Sequence, residues 1–215
     1  GVIRGVDGIY LGSSGGMTLT NSGTIKGSLY GIENSGTGAL NITNSGVIKL
    51  GAFLGGQSDT YDGRLGRITG DLQAGAGDDT IKGGTYDERF QGGVGRDIIS
   101  GGLGADYFIY ADTDDSTAAR AGRDLISDFS HKSHDIIDVS SIDALASTGG
   151  DDAFTFVGTS AFSSDGAEIR YSIVGKSTFV YFNTDSDKAA EMTIELTGKI
   201  SPPMISRYSN PKHIC

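Results

Sequence analysis

Large apolar residues recur at a fixed interval through the middle of the chain. Leu72, Ile81, Phe90, Ile99 and Phe108 each follow the last by nine residues, and the positions between them hold mostly glycine and polar residues. A six-residue turn followed by a three-residue strand fits that interval, and so short a strand buries one large side chain. Each coil then adds one layer of core. Upstream the interval lengthens. Thr20-Asn21-Ser22-Gly23-Thr24-Ile25-Lys26 returns 23 residues later as Thr43-Asn44-Ser45-Gly46-Val47-Ile48-Lys49, and Gly8-Ile9-Tyr10 returns as Gly31-Ile32-Glu33. Short β-branched strands and Asn/Gly turns at a period in the low twenties predict a parallel β-helix. Asn21 and Asn44 occupy equivalent turns and are expected to stack as a structural ladder.

The central stretch divides into four blocks of nine: AGAGDDTIK from Ala74, GGTYDERFQ from Gly83, GGVGRDIIS from Gly92 and GGLGADYFI from Gly101. The last two match G-G-x-G-x-D-x-U-x throughout, where U is a large apolar residue. The first lacks only the leading glycine, and the second has Tyr86 for the third glycine and Glu88 for the aspartate. Glycines allow positive φ in the turns, and the acids add carboxylates to a cluster of carbonyl oxygens. Calcium takes six to eight oxygen ligands of these two kinds.

In these blocks the chain resembles the RTX (repeat-in-toxin) family of calcium-binding parallel β-rolls. The resemblance implies two nonapeptides per turn, so acids eighteen residues apart lie on one edge. Asp79 with Asp97, and Glu88 with Asp106, then form two columns of half-sites for Ca2+. It also implies that backbone oxygens of Gly75, Gly77, Gly93, Gly95, Gly102 and Gly104 share those sites. Tyr86 is expected to weaken the Glu88 column, because a non-glycine residue resists positive φ. Leu54 to Asp62 reads as a degenerate nonapeptide that makes Asp59 a further candidate ligand, while the eleven residues from Tyr61 to Leu72 imply an insertion of two.

Beyond Asp106 the order of segments resembles the C-terminal cap of serralysin-type secreted proteins: Tyr107–Tyr110, Arg123–Phe129, Asp135–Ala144, Phe156–Phe162, Ala167–Tyr171 and Thr193–Gly198. One short helix is expected near Ile142–Ser147. The resemblance implies that Asp124, Asp128, Asp135 and Asp138 recur in the cap, with fold-supporting hydrogen bonds as the expected role and calcium coordination where roll meets cap as the alternative. Asn183, Asp185, Asp187 and Glu191 have the alternating oxygen side chains of a short calcium loop, for which the alternative is a polar hairpin turn. The expected fold is therefore all-β: a right-handed parallel β-helix (1–53) running into a calcium-binding parallel β-roll (54–110), closed by a β-sandwich-like cap (111–200). Residues 201–215, with Pro202-Pro203 and Asn210-Pro211, read as a disordered or foreign tail.

Composition narrows the function. Of 215 residues 35 are glycine and three proline, which suits a stack of tight turns. The formal net charge is −10, with the excess of acid after residue 50, so nucleic acid is not an expected partner. The single cysteine, Cys215, forms no internal disulfide, and no apolar run spans a membrane. His131 and His134 lack the further ligands of a zinc site and read as exposed. Neither an H-E-x-x-H helix nor a G-x-S-x-G elbow occurs. The chain opens at Gly1 in mid-pattern and is expected to be a fragment. The reading is a non-catalytic, calcium-binding module of a secreted bacterial protein, structural or adhesive, with a cell-surface or polysaccharide ligand as a candidate partner. The rival is the tail of a polysaccharide-active enzyme or protease whose catalytic part lies outside this sequence.

Overall fold

A computed structural model describes residues 8–145, 147–150 and 152–200, with the backbone of Val2–Arg4 and His213–Ile214. Asp7, Cys215 and residues 201–212 of the tail lie outside the described residues; His213–Ile214 pair antiparallel with Ile136–Asp138.

Three parallel sheets wind around one core at the N-terminal end. The first holds Val2–Arg4, Thr24–Lys26, Val47–Lys49 and Arg67–Thr69. The second begins with Ile9–Leu11, Ile32–Asn34 and Ala52–Gly55, and the third with Met17–Asn21, Leu40–Asn44 and Thr60–Asp62. After Thr69 the first sheet stops and the coil becomes two-sided. Asp71–Ala76, Arg89–Val94, Tyr107–Ile109 and Ile136–Asp138 continue the second sheet. Thr80–Lys82, Ile98–Ser100 and Leu125–Ile126 continue the third. The coil shortens accordingly, from 23 residues between Asn21 and Asn44 to 20 between Asp59 and Asp79 and 18 between Asp79 and Asp97. The two residues inserted between Tyr61 and Leu72 thus accommodate Arg67–Thr69, the last strand of the third side. Gly51 and Gly70, at φ +82° and +90°, let neighbouring coils close on that corner; a Cβ on Gly51 would stand 2.3 Å from the Asp71 carbonyl oxygen.

The nine-residue apolar column is the core. In the second sheet Ile32, Ala52, Leu72, Phe90, Phe108 and Ile137 stack in register, and in the third Ile42, Tyr61, Ile81, Ile99, Ile126 and Leu196. All twelve are buried. The expected asparagine ladder is present. Asn21 donates to Asn44 Oδ1 (2.8 Å), and each accepts from the backbone two residues on. Asn44 also donates to the Tyr61 hydroxyl and the Arg67 carbonyl. Asn34 does the same work on the next edge, donating to the Leu54 carbonyl.

The cap extends the same two sheets rather than standing apart. Met192–Thr197 joins the third sheet beside Leu125–Ile126, and Ser177–Asn183, Glu168–Val174 and Thr155–Gly158 follow it outward. Its core residues Val180, Phe182, Ile194 and Leu196 belong to the cluster that runs through the coil. The expected helix near Ile142–Ser147 is not formed among the described residues. Asp143 instead accepts from the Leu145 and Asp152 backbone amides, which holds that segment in turns. Helical geometry is confined there to two 3-10 turns, Thr113–Asp115 and Arg120–Gly122.

Candidate metal centre

Each predicted column is a continuous ladder. On one edge the Asp59 carboxylate accepts from the Leu40 amide (2.6 Å), Asp79 from Asp59 (2.6 Å), Asp97 from Asp79 (2.9 Å) and Asp124 from Asp97 (2.8 Å). On the other edge Asp106 accepts from the Glu88 amide (2.9 Å) and Asp135 from Asp106 (3.2 Å). Asp79, Asp97, Asp124, Asp106 and Asp135 thus each receive the amide of the acid one coil before, while Asp59 receives that of Leu40. The pattern uses one oxygen per carboxylate. The other oxygen of Asp59, Asp79, Asp97, Glu88 and Asp106 is buried and has no hydrogen-bond partner among the described residues. A buried, unpaired carboxylate oxygen is costly.

The electrostatics follow. Burial pushes Asp79 up to about 8, with the charges of Asp97, Asp59 and Asp78 adding to the effect. Burial lifts Glu88 and Asp106 to about 7 and Asp59 to about 6. Asp97 and Asp124 share one buried edge, and desolvation raises both. No cationic side chain hydrogen-bonds to any of these carboxylates among the described residues; the two ion pairs, Arg64–Asp62 and Arg89–Asp71, lie at the surface. The columns therefore present clustered carboxyl oxygens whose ionisation burial resists and with which no cationic side chain pairs among the described residues.

The six predicted glycines all adopt positive φ, from +95° at Gly93 to +144° at Gly95. They also allow contact between coils: a Cβ on Gly93 would stand 1.9 Å from the Gly75 oxygen, and one on Gly95 2.0 Å from the Gly77 oxygen. The block at Gly83 differs. Neither Gly84 nor Tyr86 adopts positive φ, and Glu88 folds back to accept from the Gly84 amide (2.6 Å). A β-carbon at position 86 closes the left-handed region to that turn, and the longer Glu88 side chain satisfies one of its own oxygens locally.

Several participants escaped the sequence reading. Asp124 and Asp135, expected to support the fold by hydrogen bonds or to coordinate calcium where roll meets cap, fall outside the two predicted columns and are the next rungs of the two ladders. Asp128 holds the last nonapeptide, accepting from Ser100 Oγ and from the Gly101 and Gly102 amides. Asp78 and Asp87, beside the ladder acids, form an outer rank by accepting from the Arg96 and Ala105 amides one coil on. The spacing of eighteen could have revealed this outer rank. His131, expected to be exposed, is half-buried edge-on against Phe129, with ring centroids 5.4 Å apart.

In the cap the carboxylates of Asp185, Asp187 and Glu191 offer oxygens within 4.8 Å of one another. Asn183 Oδ1 accepts from the Asp185 amide, Asp185 from Asp187, Asp187 from Ala189 and Glu191 from Thr184. Asp185 and Asp187 are exposed, Glu191 half-buried and Asn183 buried, and all four are partnered within their own turn, whereas five roll acids keep a buried oxygen without a partner among the described residues.

Residues 68–204 match the family described as Peptidase M10 serralysin C terminal. Among solved structures the chain is similar to the AlgE6R2 subunit of the Azotobacter vinelandii mannuronan C5-epimerase, 25% identical over 66% of this chain and 81% of that one, with a TM-score of 0.46. It is also similar to the AlgE6R3 subunit of the same enzyme, 27% identical over 66% and 71% of the two chains, with a TM-score of 0.45. No curated protein matches. The family match covers the two-sided coil and the cap, more than half of the chain, and on that ground the chain belongs to the serralysin C-terminal family.

Proposed function

We propose that this chain is a non-catalytic, calcium-binding module of a secreted bacterial protein, structural or adhesive in role, which completes its folding on calcium outside the cell. The observation that carries the reading is the double ladder of buried acids, in which Asp59, Asp79, Asp97, Glu88 and Asp106 each have one oxygen held by a backbone amide and one without a hydrogen-bond partner among the described residues. All the donors are oxygens, which suits a hard cation, and the positive-φ glycines bring further carbonyls to the same turns.

Asp59, Asp79, Asp97 and Asp124 would hold ions along one edge, and Glu88, Asp106 and Asp135 along the other. Carbonyls of Gly75, Gly77, Gly93, Gly95, Gly102 and Gly104 would join them. Bound calcium supplies the positive charge that lets neighbouring carboxylates ionise together. The chain's own part is to align the acids by amide donation and to exclude water through the packed column beneath them. Asn183, Asp185, Asp187 and Glu191 make a second candidate site, with Asp185 and Asp187 at the surface.

Sites of extracellular type have dissociation constants on the order of 10⁻⁴–10⁻³ M. Low calcium would leave the acids repelling one another and the roll loose enough for export; millimolar calcium would then stabilise the folded form that binds it. A calcium titration followed by circular dichroism and melting temperature tests this. β-Signal and melting temperature should rise through about 0.1–1 mM calcium, with magnesium far less effective. Curves that ignore calcium would overturn the proposal.

A further inference from the structure

The free oxygens of the ladder do not all face the same wall. Five residues before each acid, the chain passes beneath it. Under Asp97 stands Gly92, where a Cβ would lie 2.0 Å from the unpartnered Oδ2; under Asp106 stands Gly101, where the distance would be 2.4 Å. Those oxygens rest on bare Cα atoms, in space that a methyl group would fill. In strand register Ala74 takes the place of Gly92 one coil earlier, between the pairs Gln73–Gln91 and Gly75–Gly93. Leu54 takes it one coil earlier again, between Phe53–Gln73 and Gly55–Gly75. Ala74 and Leu54 are fully buried, and the register puts a methyl group and then an isobutyl group at the position of Gly92, five residues before Asp79 and Asp59.

We infer that this leading position sets the strength of each ion site. The edge that carries Asp59, Asp79, Asp97 and Asp124 is then graded, strongest toward the cap and weakest toward the three-sided coil, with Ala74 and Leu54 as built-in attenuators. A leading glycine leaves the free oxygen room to turn toward an ion shared with the next coil. A leading side chain takes up that room and restricts the oxygen's turn toward a shared ion, which weakens binding of the charge. Loading would then start beside the cap and spread back along the coil. The inference rests on the calcium reading above and concerns how that site is regulated.

The test is a pair of single substitutions measured by calcium titration calorimetry and by melting in chelator. Ala74→Gly should lower the calcium concentration needed to fill the weaker class of sites, by roughly three- to tenfold. In chelator the same change should lower the melting temperature, since it removes a buried methyl group and adds backbone freedom. A purely structural Ala74 would destabilise both states alike and leave the calcium midpoint in place, which would overturn the inference. Gly92→Ala should raise the midpoint of the tightest class at least tenfold, and an unchanged midpoint would also overturn it. Should Gly92→Ala fail to fold, Ala74→Gly decides alone. A wild-type protein with no calcium response would refute the functional proposal instead, so the two failures are distinguishable.

Discussion

Asp97→Asn is expected to abolish most of the calcium-induced stabilisation along its edge without unfolding the metal-free protein. Asp97 is fully buried; Oδ1 accepts from the Asp79 amide at 2.9 Å, while Oδ2 has no partner. Asparagine keeps the acceptor and the shape and removes the charge. Near pH 8 without calcium, the variant should melt at or above the wild-type temperature, because a buried carboxylate beside Asp79 and Asp124 no longer has to ionise. With calcium the order reverses. An ion present at about ten to a hundred times its dissociation constant stabilises the folded state by ~1.4–2.7 kcal/mol per site. The variant should lose that gain at the sites Asp97 shares. Paired melts with and without ~10 mM calcium measure both effects. A full calcium shift in Asp97→Asn would remove this residue from the site.

The second large effect concerns pH. In the metal-free fold Asp59, Asp79, Glu88 and Asp106 have values raised by burial to about 6, 8, 7 and 7 from ordinary values of 3.8 for aspartate and 4.5 for glutamate. The folded chain therefore holds more protons than the unfolded chain. The stability these groups contribute is fully present below about pH 4 and is lost as pH rises through about 6–8. Metal-free protein should melt at progressively lower temperature across that window and then level off. Calcium competes with those protons and binds more tightly as pH rises. The gap between melts with calcium and with chelator should therefore be small near pH 5 and widest near pH 8. A gap independent of pH would mean that the ladder acids do not titrate with the ion.

Much of this was legible because the coil is built by repetition. Ile81, Phe90, Ile99 and Phe108 stand nine apart since alternate blocks pack on opposite sheets, and all four are buried as the pattern predicts. The acids at 79 and 97, and at 88 and 106, meet because strand register carries every eighteenth residue to the same edge. Where the spacing changes, the signal fades. Asp124 lies 27 residues after Asp97, and Asp135 29 after Asp106, so insertions hide two rungs that the three-dimensional register restores. The leading glycine is visible as a fixed position of the nonapeptide, but the close approach of the carboxylate five residues later, which leaves no room for a β-carbon at Gly92 and Gly101, is visible only in the structure. The helix expected near Ile142 failed on local chemistry, since Asp143 caps its own turn and Gly149-Gly150 follow closely.

Loop and ladder acids also teach a distinction in chemistry. Asp185, Asp187 and Glu191 cluster as closely as metal ligands do, yet the two aspartates are exposed, Glu191 is only half-buried, and all three are partnered by nearby amides. The roll acids are spread along two edges, yet five of their oxygens are buried without partners. Burial of unpaired charge carries the higher cost, so the roll has the greater need of a cation.

The central claim is that the two carboxylate ladders hold calcium, and equilibrium dialysis against radioactive calcium tests it most directly. The wild-type chain should retain more than one ion at about 1 mM free calcium. A protein carrying both Asp79→Asn and Asp97→Asn should retain fewer, with the ions of the Glu88–Asp106 edge remaining. Wild-type retention no greater than that of a chelator-treated control, or full retention by the double variant, would contradict the account.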